Sequence, residues 1–125
     1  MTSLAGLVIH LVGHVDDLAD VYASARVVIV PLRFGSGVKL KAVEALLHGV
    51  TMVATTCGAE GIDLLSQPAI DVADEPEEFA ERLASLLEEP AVWEERRATI
   101  RDLVERWGST PARPWRSVID EVLHA

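Results

Sequence analysis

The residues best suited to chemistry lie together in Pro31-Leu32-Arg33-Phe34-Gly35-Ser36-Gly37-Val38-Lys39-Leu40-Lys41-Ala42-Val43-Glu44. The segment reads as the end of a strand, a glycine loop and the start of a helix, followed by two cations and a carboxylate. A helix start leaves backbone N–H groups unpaired and carries partial positive charge. Small residues at Gly35, Ser36 and Gly37 let an anion such as phosphate approach those groups closely, and Val38 opens the helix beside them. Gly37, Lys41, Glu44 and His48 are spaced by 4, 3 and 4 residues and share one strip of that helix. A ligand lying along the strip meets backbone donors, then Lys41 with Lys39 nearby, then the carboxylate of Glu44. That order suits a nucleoside diphosphate, with phosphates at the glycines and ribose hydroxyls at the acid, because a carboxylate accepts from two adjacent hydroxyls. The alternative is an ordinary glycine turn followed by an i,i+3 surface ion pair. The pattern lacks the third glycine of a dinucleotide fingerprint and the Gly-Lys-Ser/Thr of a P-loop.

Other reactive side chains have simpler readings. His14 follows Gly13 at a strand end, where an exposed structural role is the ordinary one. His48 ends a helix, where a cation is favoured. The histidines do not have metal-ligand spacing and Cys57 has no CxxC partner, so no metal is expected. Ser36 has no hydrolase pattern around it. The three tryptophans, Trp93, Trp107 and Trp115, at helical spacing, read as core anchors rather than a stacking platform.

The elements that must position the glycine loop follow from hydrophobic pattern. Leu7–Val12 is a short apolar run that reads as a strand. Asp16 suits the cap of a helix over Asp17–Ala25, with Leu18, Val21, Tyr22 and Ala25 inward. Val27–Val30 is a continuous β-branched run, the pattern of a strand buried on both faces. A helix from Val38 to His48 buries Leu40, Val43, Leu46 and Leu47 and stops at Gly49. Strands over Thr51–Thr55 and Ala69–Ala73 flank a turn at Cys57–Gly61. Asp74 then caps a helix with Pro76 in its first turn, burying Phe79, Leu83, Leu86 and Leu87. Pro90 opens a long helix through Trp107, and Trp115–Leu123 suits a last short one. Strands alternating with helices imply a parallel sheet with right-handed crossovers, whose ligands sit at the carboxyl ends of the strands. The expected fold is therefore α/β and Rossmann-like, with about four parallel strands and flanking helices.

The 125 residues suit one domain, and half of them are apolar, enough for a sizeable core. The net charge of −9 argues against nucleic acid and against anionic membrane surfaces. Residues 1–70 hold four basic against six acidic groups, and residues 71–125 hold seven against fourteen. The first part can therefore still offer a local positive site. Both lysines of the chain are Lys39 and Lys41. One cysteine fits a reducing compartment; no signal peptide or bilayer-length apolar run is seen, so a cytoplasmic location with no integral membrane segment is expected.

Taken in order, several segments resemble the carboxyl-terminal domain of family-four, GT-B fold, nucleotide-sugar glycosyltransferases. They are Leu11-Val12-Gly13-His14-Val15-Asp16-Asp17-Leu18, Tyr22-Ala23-Ser24-Ala25-Arg26-Val27, Pro31 to Leu46, Met52-Val53-Ala54-Thr55-Thr56 and Gly58-Ala59-Glu60-Gly61. The resemblance implies transfer of a sugar from a nucleotide donor with retention at the anomeric carbon, and no cofactor. It implies that Glu44, matching the second acid of the E-x7-E motif, holds the donor ribose. It likewise implies that Gly37 and Val38 meet the diphosphate and that Lys41, with Lys39, lies beside it. Ser36 stands where the motif has its first acid, which departs from the usual contact to the donor sugar; the catalytic residues are not identified. In that family two further strands and an acceptor-binding domain precede this region. Residues 1–125 are accordingly read as a single partial domain, the donor-binding part of a doubly wound GT-B carboxyl-terminal domain, inactive alone. The other reading is a non-catalytic module that binds a nucleotide diphosphate or docks onto a separate amino-terminal half. The doubly wound order separates Leu7–Val12 from Val27–Val30; the fragment is expected to re-pair those two strands, and the apolar sheet edge left uncovered either way invites self-association or a partner.

Overall fold

A computed structural model of the chain describes residues 11–62 and 69–109, with side chains to residue 106. The elements are α1 (Ala19–Ser24), β1 (Val27–Val30), α2 (Leu40–Leu47), β2 (Thr51–Ala54), β3 (Asp71–Val72), α3 (Pro76–Glu88) and α4 (Pro90–Ser109). The three strands form a parallel sheet in the order β1-β2-β3. Val27 to Val30 pair in register with Thr51 to Ala54, and Val53 and Ala54 with Asp71 and Val72. The architecture is the α/β, Rossmann-like one implied by strand–helix alternation. Of the expected fourth strand, residues 7–10 lie outside the described residues. Leu11 and Val12 have no regular structure and are 96% and 70% exposed.

Burial reverses one expectation. β2, not β1, is the strand buried throughout, while Ile29 of β1 is 49% exposed. A β-branched run can serve a central or a half-covered strand; which it serves depends on neighbours, and among the described residues β1 has a partner on one side alone. The core gathers Met52 and Ala54 of β2, Val43, Ala45 and Leu46 of α2, and Ile100 and Leu103 of α4. Burying a side chain such as Val43 or Leu46 is worth about 1.5–3 kcal/mol each.

The helices keep their expected order with altered ends. α2 begins at Leu40, and its buried face is Ala42, Val43, Ala45 and Leu46, with Leu40 and Leu47 half-buried. It closes as expected at Gly49 (φ 77°), where the Gly49 N–H donates to the Leu46 carbonyl and the Val50 N–H to that of Ala45. Asp16 does not cap α1. Asp17 does the equivalent work, accepting from the Ala19 N–H at 2.9 Å, while Asp16 pairs with His14. Asp74 does not cap α3, whose cap position is Glu75 without a side-chain bond; its carboxylate is engaged by Thr56. In α3, Leu86 is buried and Leu87 is 49% exposed. In α4, Ile100 is buried and Trp93 and Val104 are half-buried, whereas the Trp107 side chain and Trp115–Leu123 lie outside the described residues.

Two polar contacts fasten α3 and α4 to the sheet. At its amino end, the Arg26 carbonyl accepts from Thr51 Oγ1 (2.7 Å) and Trp93 Nε1 (3.1 Å), and Arg26 Nε donates to the Leu86 carbonyl (3.0 Å). At β3, the buried Asp71 carboxylate accepts from Arg96 Nε (3.0 Å) and Nη2 (3.1 Å) and from Arg82 Nη1 (3.2 Å). A buried carboxylate is tolerable only with such partners; its removal takes the Asp71 bonds from Arg96 and leaves Arg82 its exposed pair with Glu78. Asp71→Ala should therefore lower unfolding free energy by about 3 kcal/mol, read from urea denaturation.

Candidate functional site

The site is built at the carboxyl ends of the strands, where three loops meet. Thr55, directly after β2, is buried, and its hydroxyl donates to the Leu32 carbonyl beyond β1 and accepts from the Gly58 N–H at 3.1 Å. The following turn then lies against β1. At Gly58 a Cβ would stand 2.3 Å from the Val30 carbonyl oxygen, so only glycine fits without displacement. At Gly61 (φ +84°) a Cβ would stand 2.4 Å from Val38 Cγ2. The Cys57 thiol donates to the Gly35 carbonyl at 3.4 Å. The turn thus presses on both sides of the glycine loop.

This packing decides what each cation does. Lys39 Nζ donates to the Gly37 carbonyl at 2.7 Å and stands 3.6 Å from Glu60 Oε2, with its side chain only 16% exposed. Lys39 is a clamp that closes the loop on itself and on the turn. Lys41 is exposed and has no ion pair or hydrogen bond from its side chain among the described residues. The i,i+3 pair between Lys41 and Glu44 is not formed. Gly35 (φ 115°) and Gly37 (φ 86°) both use backbone conformations that favour glycine. Gly35, Ser36, Gly37 and Val38 are exposed, and the N–H groups of Gly37 and Val38 bond to no described residue.

Val38, Lys39 and Lys41 line a groove of about 570 Å³ with Tyr22, Ile29 and Leu32. Glu44 lies one turn beyond Lys41 on the same side of α2. Burial pushes the Tyr22 phenol up, and the nearby Glu44 carboxylate adds to the rise. The backbone carbonyl of Glu44 accepts from His48 Nδ1–H at 2.8 Å, and the His48 ring lies 5.0 Å from that of Tyr22. His14 is a surface partner of Asp16 (3.0 Å) and takes no part.

A further clasp borders the loops. Asp74 accepts from the Thr56 N–H (2.8 Å) and Oγ1 (2.6 Å), and its carbonyl accepts from Arg33 Nη1 (2.8 Å). The Thr56 hydroxyl, then its N–H, hold the Asp74 carboxyl below its ordinary value, with Arg33 adding to this. Tyr22, Glu60, Thr55 and Asp74 were not read as site residues from sequence, Tyr22 being read as a core position and Asp74 as a helix cap. Glu60 and Thr55 stand in segments that carry the resemblance, which was a signal that those turns matter but not that Glu60 holds Lys39.

A glycine loop leading into a short helix, at the carboxyl end of a parallel strand and roofed by a second glycine turn, coincides with a family match. The sequence profile of the glycosyl transferases group 1 matches residues 2–89, well over half the chain. The chain belongs to the group 1 glycosyl transferases. The match spans all three strands of this glycosyl transferase domain, both glycine turns and the whole of α3. No curated protein and no solved structure matches the chain. No helix among the described residues is long and apolar enough to cross a membrane.

Two outcomes test this geometry. Gly58→Ala should destabilise the domain by about 1–3 kcal/mol, by overpacking against the Val30 carbonyl, in urea unfolding. The folded Asp74 carboxyl is depressed, so its contribution to stability is present above the unfolded value and lost as pH falls through the folded one. In a carbon-detected NMR titration Asp74 should titrate below the ordinary 3.8, and Thr56→Val should return it toward that value.

Proposed function

We propose that residues 1–125 form the donor side of a nucleotide-sugar glycosyltransferase, a partial domain that binds the nucleoside diphosphate of the donor. In this reading the diphosphate lies against Gly35, Ser36, Gly37 and Val38, whose backbone donors and small side chains admit a phosphate. Lys41 faces the negative charge, and Lys39 shapes the loop from beneath. Glu44 accepts from the ribose hydroxyls. Ser36, in place of an acid, leaves the sugar contact to other groups. The observation that carries the reading is the division of labour between the lysines. Lys39 is held by Gly37 and Glu60, whereas Lys41 and the N–H groups of Gly37 and Val38, in the loop before α2, have no partner among the described residues. In a chain of net charge −9, a cation and backbone donors without partners among the described residues suit an anionic ligand.

The chemistry these residues offer is binding and orientation. Transfer needs donor and acceptor in one productive geometry, and this reading assigns only the donor side to the chain. A second reading, a module that docks onto a separate half of the enzyme or onto another copy, draws support from the apolar groove beside β1. Its Ile29 and Leu32 are 49% and 40% exposed.

Titration calorimetry with uridine, guanosine and adenosine diphosphates tests the first reading. At least one should bind, and Glu44→Ala should weaken it by about 1.5–3 kcal/mol, with a smaller loss for Lys41→Ala. Equal affinity of the unaltered chain and Glu44→Ala would remove Glu44 from the site.

A further inference from the structure

The opposite end of the sheet holds a second arrangement of charge. Arg26 precedes β1 and Thr51 opens β2, so both mark the amino ends of the strands. Between them and α4 lies a pocket of about 340 Å³ whose walls include Arg26, Arg97, Trp93, Thr51 and His48. A neighbouring groove of about 240 Å³ continues past Arg97 to Arg101.

The arginines here differ from the others near the sheet. Arg82 and Arg96 are bound to Asp71, and Arg33 to the Asp74 carbonyl. Arg97 and Arg101 form no ion pair or hydrogen bond among the described residues, although α4 also carries Glu94, Glu95, Asp102 and Glu105. Arg26 uses Nε alone, for the Leu86 carbonyl, which leaves its two terminal nitrogens. The guanidinium carbons of Arg26 and Arg97 lie 4.4 and 4.6 Å from the centre of the Trp93 ring. Both guanidinium groups are thus anchored on one ring, and both residues line the pocket. Trp93 is itself fixed by its indole N–H on the Arg26 carbonyl. The aromatic ring stabilises each of the two charges. The one carboxylate along both cavities, among the described residues, is Glu105 at the far end of the groove.

We propose that this pocket binds a small organic phosphate, separately from the glycine-loop site at the other end of the strands. Guanidinium groups match a phosphoryl dianion with forked, charge-assisted bonds, and their planes need no reorganisation to do so. The pocket exceeds the volume of a bare ion, which leaves room for a compact organic body against Thr51 and Tyr22. The ligand is a sugar monophosphate or one of similar size rather than a polymer, because the cavity is local and the chain as a whole is acidic.

The indole N–H signal of Trp93, assigned by its loss in Trp93→Phe, reports this pocket and not the glycine loop. In nitrogen-15 NMR of the full chain it should shift and saturate on titration with ribose 5-phosphate. Arg97→Gln and Arg101→Gln should each weaken that binding, the former by at least about tenfold. Lys41→Gln, at the other end of the sheet, should leave the shift intact. Weaker binding of inorganic phosphate supports a contribution from the organic body, and equal binding supports the same anion site with free phosphate as its ligand. No shift up to about 10 mM of either would overturn the proposal. So would an undiminished shift in the folded Arg97→Gln/Arg101→Gln double variant, its fold checked by an unaltered unfolding midpoint.

Discussion

The close approach of Gly58 to the Val30 carbonyl is the constraint on which the carboxyl end of the sheet depends. With no side chain there, the turn after β2 can lie directly on the end of β1. Every later contact follows from that proximity. The Thr55 hydroxyl can reach Leu32, Gly61 can seat against Val38, Cys57 can reach Gly35, and Glu60 can reach Lys39. A single β-carbon would push the turn away and loosen all of them together. Two glycine-bearing segments, well separated in the chain, therefore act as one surface.

Electrostatics then sorts groups that look alike in sequence. Two lysines, two residues apart, diverge because one is caught between a carbonyl and a carboxylate and the other is not. The arginines divide in the same way. Those facing Asp71 are structural, bound at 3.0 to 3.2 Å, while Arg97 is set on an aromatic ring with no carboxylate partner among the described residues. In a chain with twice as many acidic groups as basic ones in its second part, an unpaired arginine is the less expected arrangement.

Much of this was legible in the residues themselves. The β-branched runs, the glycine stops and the alternation of strand with helix identify three parallel strands in order and all four described helices. Gly49 ends α2 through the expected pair of hydrogen bonds. What sequence could not resolve was non-local. Val27–Val30 and Thr51–Ala54 are both apolar runs, and only their placement makes the second the buried strand. Asp74 has every local feature of a helix cap, yet Thr56 offers its carboxylate two donors and wins it. Spacing set Lys41 on the ligand strip and Lys39 beside it, but not that Lys39 is held in place, because the group that holds it, Glu60, arrives from another loop. Tyr22 reads as a core aromatic, and its neighbour Glu44 becomes evident only when α1 and α2 are packed.

β3 is two residues long, but its surroundings give it reach. Asp71, its first residue, grips α3 and α4 through Arg82 and Arg96. Asp74, just past its end, grips the loops after β1 and β2 through Arg33 and Thr56. The short segment between them is thus a tie-rod between the helical layer and the rim of the sheet. Local opening on one side should drag on the other, so that the two regions behave as one cooperative unit. The amide of Thr56 and the central amides of α4 should then exchange with solvent through a shared opening event.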